Sequence, residues 1–248
     1  MRSMIRVCLA CFLMLLIVSA TEAQINPVYQ KMMQNGWRYP FGDGFRKLTA
    51  SEVDTEFCRS MGYDDTTVAN LKKMGVNVME RWKPSVVWDE KAWAALSDCI
   101  VIGTVLRIEH PFARNFWYHT VAYVQVEEFL RNDYGLPKGQ VAVLEVSGPT
   151  GQPGESVEQI GEDTLSIGEH VLLFLSASSL ITFAANNNLH DLYNYLINDS
   201  TIRFRMLAKY DIRSGQVFSK RGKRTLSDAE NEINKVLKTA HRSLSTDK

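Results

Sequence analysis

The chain lacks a net charge, a spaced set of metal ligands and a phosphate-cradling glycine loop, and each absence removes a class of function. Lys plus Arg and Asp plus Glu number 28 each among 248 residues. No long-range field therefore draws the protein to nucleic acid or to an anionic membrane surface. The histidines, His110, His119, His170, His190 and His241, nowhere stand at H-x-x-x-H spacing, and neither Cys58 nor Cys99 belongs to a C-x-x-C pair; no metal site is expected. There is no G-x-x-x-x-G-K-[ST] and no strand-coupled G-x-G-x-x-G, so no nucleotide cofactor is expected either. A G-x-S-x-G nucleophile elbow is missing as well. Glu127 and Glu128 are adjacent at the end of an extended run, where neighbours face opposite ways, so they make a poor acid/base pair. Cys99 sits in an apolar strand, and a buried thiol is a poor nucleophile. No internal repeat is visible, and the chain reads as non-enzymatic.

Long apolar runs are scarce too. The longest candidate, Val7 to Val18, has 12 residues, against the roughly 20 that a helix needs to span a bilayer. Arg2 and Arg6 precede it and the small and polar SATEAQ follows it. This is the pattern of a secretory signal peptide over residues 1–23, with cleavage after Ala23, or after Ala20. The expected location is the periplasm or the extracellular space, with no transmembrane segment after cleavage. Loss of Arg2, Arg6 and Glu22 leaves 26 positive against 27 negative residues. Cys8 and Cys11 leave with the peptide, so Cys58 and Cys99 remain. In an oxidising compartment two cysteines point to one disulfide. Its loop of about 40 residues would contribute roughly 4 kcal/mol in the chain-entropy model. Two separate buried thiols are the other reading, since free Cys packs like a small hydrophobe.

The rest divides at about residue 97. Residues 24–48 mix Trp37, Tyr39, Phe41 and Phe45 with glycine and proline and read as irregular. Residues 49–75 read as two short helices, the first opened by a Thr49/Glu52 capping box. A third is expected over Asp89 to Leu96. Residues 24–96 thus form a helical and irregular extension, expected to pack on the strand-rich remainder of the chain. From Asp98 to Ser176 four apolar runs separated by turns read as strands: Cys99 to Ile108, Phe116 to Leu130, Gln140 to Val146 and His170 to Leu175. The first is apolar on both alternating faces, so it needs cover on both sides. Gly103 in its middle marks a bulge or sharp bend. Between the third and fourth strands lies SGPTGQPGESVEQIGEDT, with four glycines and two prolines, a composition suited to a flap. Beyond it come a short strand at Leu180 to Ala184, a helix at Leu189 to Ile197, and a hairpin of Arg205 to Ile212 with Gln216 to Ser219. A basic turn, Lys220 to Arg224, precedes a terminal helix capped by Ser227 and Glu230, with Leu226, Ala229, Ile233, Val236, Leu237 and Ala240 as its apolar stripe. The fold class expected is α+β: a small antiparallel β-barrel over 97–248 with the N-terminal extension and a C-terminal helix.

The segments SDCIVIGTV, YVQVEEFLRN, QVAVLEVSG and IGEHVLLFLS, with the SGQVF hairpin and the capped helix after it, resemble a bacterial extracytoplasmic family of unknown function. The resemblance covers about half of the chain left after cleavage and implies an OB-like barrel, related in shape to the netrin and metalloproteinase-inhibitor modules. Those inhibitors place an N-terminal cysteine amine on a target's zinc. Here the expected terminus is Gln24 and the nearest cysteine is Cys58, so the shape transfers and the inhibition does not. On such a barrel Trp117, His119 and Tyr123 share one face of the second strand and form a candidate binding surface; packing beneath the N-terminal helices is the competing use of that face. The function expected is non-catalytic binding of a protein or glycan ligand, not nucleic acid. The alternatives are an unrecognised hydrolase and a structural envelope protein.

Overall fold

The computed structural model describes residues 25–34, 90–110, 120–146, 148–149, 156–157, 164–219 and 222–245. The expected signal peptide, the two helices expected over 49–75, and Cys58, Trp117 and His119 lie outside the described residues. In chain order the elements are α1 (Pro27–Gln34), α2 (Glu90–Leu96), β1 (Cys99–Glu109), β2 (Thr120–Asn132), β3 (Gln140–Glu145), β4 (Gly148–Pro149), β5 (Ser156–Val157), β6 (His170–Ser176), α3 (Ser178–Asn186), α4 (His190–Ile197), β7 (Arg203–Arg213), β8 (Gln216–Ser219), β9 (Gly222–Thr225) and α5 (Leu226–Ser245). The architecture is α+β.

Seven strands form one sheet in the order β3-β2-β1-β6-β7-β8-β9. Its neighbours are antiparallel throughout. One further ladder is parallel and joins β3 to β7, from Ala142↔Arg203 to Leu144↔Arg205. β4 and β5 make a separate two-residue ladder within the glycine-rich segment.

The apolar character of both faces of β1 is explained by two cores. Cys99, Val101 and Val105 pack with Ala122, Val124, Val143, Val171, Leu173 and Phe204 in the first. Ile100 and Ile102 pack with Leu172, Phe174, Tyr210 and Val217 in the second, beneath Ala92, Ala94 and Leu96 of α2 and Ala229, Ile233 and Val236 of α5. Thus α2 and α5 cover one face of the sheet, while α1, α3 and α4 contribute to the other core through Val28, Leu180, Ala184, Leu192 and Leu196. Gly103 marks a register shift between β1 and β2. A Cβ there would lie 2.3 Å from the Gln125 carbonyl oxygen; only hydrogen fits that approach.

Four expectations need correction. Residues 24–48 read as irregular, but within them Pro27–Gln34 forms α1. The Leu180 to Ala184 strand is the middle of α3. The run is rich in β-forming residues, but it is buried on every side, and a short buried run carries no periodicity that separates strand from helix. What decides is tertiary: the Asp98 side chain captures the first amide groups of the segment. The terminal helix also begins earlier than expected. Thr225, not Ser227, is the cap: its hydroxyl accepts the Asp228 N–H at 3.1 Å and donates to the Asp228 carboxylate at 2.6 Å. Gly222 to Arg224 of the expected basic turn belong to β9.

Candidate functional site

Three polar arrangements stand out. The first surrounds Asp98, the residue before β1, 8% exposed. Its carboxylate accepts the hydroxyls of Tyr134 (2.7 Å), Ser176 (2.9 Å) and Ser178 (2.7 Å) and the amides of Ala177 and Ser178 (both 3.0 Å). Its own N–H donates to the Leu175 carbonyl, and its carbonyl accepts the Asp133 N–H. The carboxylate therefore occupies the N-terminus of α3, where amide donors and the helix dipole favour negative charge. Burial, then the Asp98 charge and hydrogen bond, push the Tyr134 hydroxyl well above its usual range. Burial, then Asp98 and Asp133, do the same to the Cys99 thiol, which is free in this structure. A carboxylate with five donors builds structure, and a thiol held neutral is a poor nucleophile.

The second arrangement lies at one end of the first core. Thr120 opposes Glu145 across the β2–β3 ladder. Lys209 and Asp211 stand opposite Leu173 and Val171 of the first core, so the register puts them on its side of the sheet. Glu145 is 7% exposed, and its Oε1 accepts the Leu165 N–H at 2.8 Å. Lys209 Nζ donates to the Thr164 carbonyl (2.8 Å) and to Glu169 Oε2 (3.0 Å), and lies 3.3 Å from Asp211 Oδ1. Ser166 N–H also donates to Glu169. Burial raises the Glu145 carboxyl to about 7, against the Leu165 amide and Lys209, which lower it; Glu169 adds to the rise. For Lys209 burial works against the charge, but the Glu169 hydrogen bond and the Glu169 and Asp211 charges prevail and hold it above its usual range. The His110 ring touches this cluster through Thr120, Nδ1 to Oγ1, at 3.1 Å.

The third is a surface. The backbone of Val105 bonds the turn before β6 twice, Val105 N–H to Glu169 and Gly168 N–H to Val105. These bonds hold the turn that carries Ile167 against the stretch of β1 that carries Leu106. These two aliphatic side chains are 66% and 43% exposed. Next along β1, the Arg107 guanidinium lies 3.5 Å from the centre of the Tyr123 ring and pairs with Glu109. Tyr123 thus sits on the sheet, half-buried, with one ring face covered by Arg107; Trp117 and His119 of the same expected surface lie outside the described residues. Further along the sheet, Glu127 joins Thr104 (2.9 Å) and His170 (3.1 Å) across three strands. Among the described residues no three His, Cys, Asp or Glu side chains converge as metal ligands, and no helix is long and apolar enough to cross a membrane.

The sequence reading missed Asp98, Tyr134, Glu145 and Lys209. Glu145 had a signal: it interrupts the apolar run VAVLEV, and a carboxylate in such a run needs a buried partner. Comparison of the chain with protein-family models, with curated proteins and with solved structures found no match.

Proposed function

We propose that the protein is an exported, non-catalytic binding module that holds a protein ligand at the end of the sheet carrying Leu106 and Ile167. The ring of pairings β1-β2-β3-β7-β6-β1 supports reading these strands as a small OB-like barrel. The N-terminal pattern of residues 1–23 supports export. The observation that carries the binding reading is that two exposed aliphatic side chains, Leu106 and Ile167, stand on segments joined by the Val105–Gly168 and Val105–Glu169 backbone bonds, next in sequence to the Arg107–Glu109 ion pair. Exposed aliphatics scattered singly need no explanation, but two carried on bonded segments and rimmed by charge resemble the apolar centre and polar rim of a protein contact. A protein ligand fits better than a glycan. Sugar rings stack on open aromatic faces, and one face of Tyr123 is already taken by Arg107.

The test is affinity capture from the producing organism's envelope and medium, with the wild type and a Leu106→Asp/Ile167→Asp variant side by side. The expected result is a protein retained by the wild type and lost at least tenfold by the variant, with unchanged thermal unfolding. Equal capture by both, or elution of carbohydrate alone, overturns the reading.

A further inference from the structure

The strap from Thr164 to Glu169 is fastened differently at its two ends. Its second half is stitched to β1 by backbone bonds, Gly168 N–H to Val105 at 2.8 Å and Val105 N–H to Glu169 at 2.9 Å. Its first half is held by side chains: Glu145 Oε1 on the Leu165 amide at 2.8 Å, and Lys209 Nζ on the Thr164 carbonyl at 2.8 Å. The Leu165 side chain is buried in the first core, and its backbone amide sits on the buried Glu145 carboxyl.

We propose that Glu145 is a proton-operated latch on the Thr164–Glu169 strap, and that the latch sets how firmly Ile167 is presented; this last use rests on the binding function proposed above, whereas the latch does not. A buried neutral carboxyl is compatible with a closed strap. An ionised one is better solvated when the strap lifts and admits water. The closed form therefore holds the proton more tightly than the open form. Acid favours closure, and rising pH favours release of the Thr164–Ser166 end. The upward displacement of this carboxyl by burial is in the direction that the mechanism needs.

Among the described residues the charged and titratable neighbours are few. Lys209 and Asp211 approach from β7 and Glu169 from the strap itself. Thr120 stands opposite Glu145 in the β2–β3 ladder, and its hydroxyl lies 3.1 Å from His110 Nδ1. Arg205 on β7 pairs in register with Leu144, and its guanidinium is directed to the Phe183 ring at 5.2 Å. His110, whose ring lies 3.1 Å from Thr120, and His170, which follows Glu169, are the histidines to exclude.

The experiment is residue-resolved amide exchange on the purified protein, with no ligand present. The Leu165 protection factor, corrected for the intrinsic exchange rate, is expected to fall on the order of 50-fold from about pH 5 to about pH 8, because each pH unit between the open and closed pKa values is worth up to tenfold. In Glu145→Gln it stays flat, while His110→Gln and His170→Gln keep the wild-type slope. The carboxyl carbon of Glu145 in the wild type titrates at the pH where the decline in protection levels off. Flat protection in the wild type, an unchanged slope in Glu145→Gln, a slope abolished in either histidine variant, or a carboxyl titration that falls away from that levelling-off each overturn the latch. Because no partner enters the measurement, failure of the latch and failure of the binding function are read separately.

Discussion

At the residue scale, Asp98 is the group whose removal has the largest expected effect. Asp98→Ala strands three hydroxyls and two amides that now donate to one carboxylate. An unsatisfied buried donor costs about 1–3 kcal/mol, and part of the set will find water, so a loss of about 3–5 kcal/mol in urea unfolding is expected. Tyr134→Phe removes one donor from a carboxylate that keeps the others, and about 1 kcal/mol is expected. A loss below about 1 kcal/mol for Asp98→Ala would contradict the knot. None of this was legible in the sequence. Asp98, Tyr134, Ser176 and Ser178 are ordinary polar residues at the edges of apolar runs. Only the pairing of β1 with β6 brings residues 80 positions apart within 3.0 Å.

At the element scale, the two ends of the legible range are α5 and α3. The C-terminal helix was readable because its stripe recurs with helical spacing, and Ala229, Ile233 and Val236 are buried where that stripe predicts. Its start was misplaced by two residues because TLSDAE offers both Thr225 and Ser227 as caps, and caps are a local competition for the same amides. Thr225→Ala is expected to cost about 1 kcal/mol and Ser227→Ala less than about 0.5 kcal/mol. Ile233→Ala, which opens a cavity between α5 and the sheet, is expected to cost about 2–4 kcal/mol. Thermal denaturation of the three variants checks the order. The strands were legible for a different reason: β-branched runs bounded by turn residues need no partner to be recognised, and β1, β3, β6 and β8 lie within one or two residues of expectation. For α3 the same composition misled, because the decision between strand and helix was made by a carboxylate from elsewhere.

At the scale of the whole molecule, one buried acid leaves a signature in the pH dependence of stability. The Glu145 carboxyl rises from the ordinary 4.5 to about 7, so the folded state binds its proton more tightly than the unfolded chain does. The contribution is fully present below the unfolded pKa and is lost as pH climbs through the folded one. The stability of the wild type relative to Glu145→Gln is therefore expected to decline by up to about 3 kcal/mol between about pH 4.5 and about pH 7.5, and to level off above. Urea unfolding of both proteins at the two ends of this range measures it; a rise with pH would reverse the assignment. The candidate site was only partly legible. Tyr123 is singled out in the sequence because it shares a strand face with Trp117 and His119, but the structure spends one face of its ring on Arg107, while Leu106 and Ile167, unremarkable in the sequence, are, with Ile25, the exposed large aliphatic side chains among the described residues.

The Asp98 knot also guards the assembly of the sheet. Asp98 stands immediately before β1, and Ser176 ends β6, so its donors arrive only when Cys99 lies opposite Leu175. A slip by one residue would turn every β6 side chain to the other face and would leave a carboxylate buried among groups that cannot donate to it. Hydrophobic pairing alone discriminates weakly here, because HVLLFL is apolar on both faces and β1 is too. The single acid thus supplies the register information that two greasy strands lack, and a sheet closed out of step is rejected at its first residue.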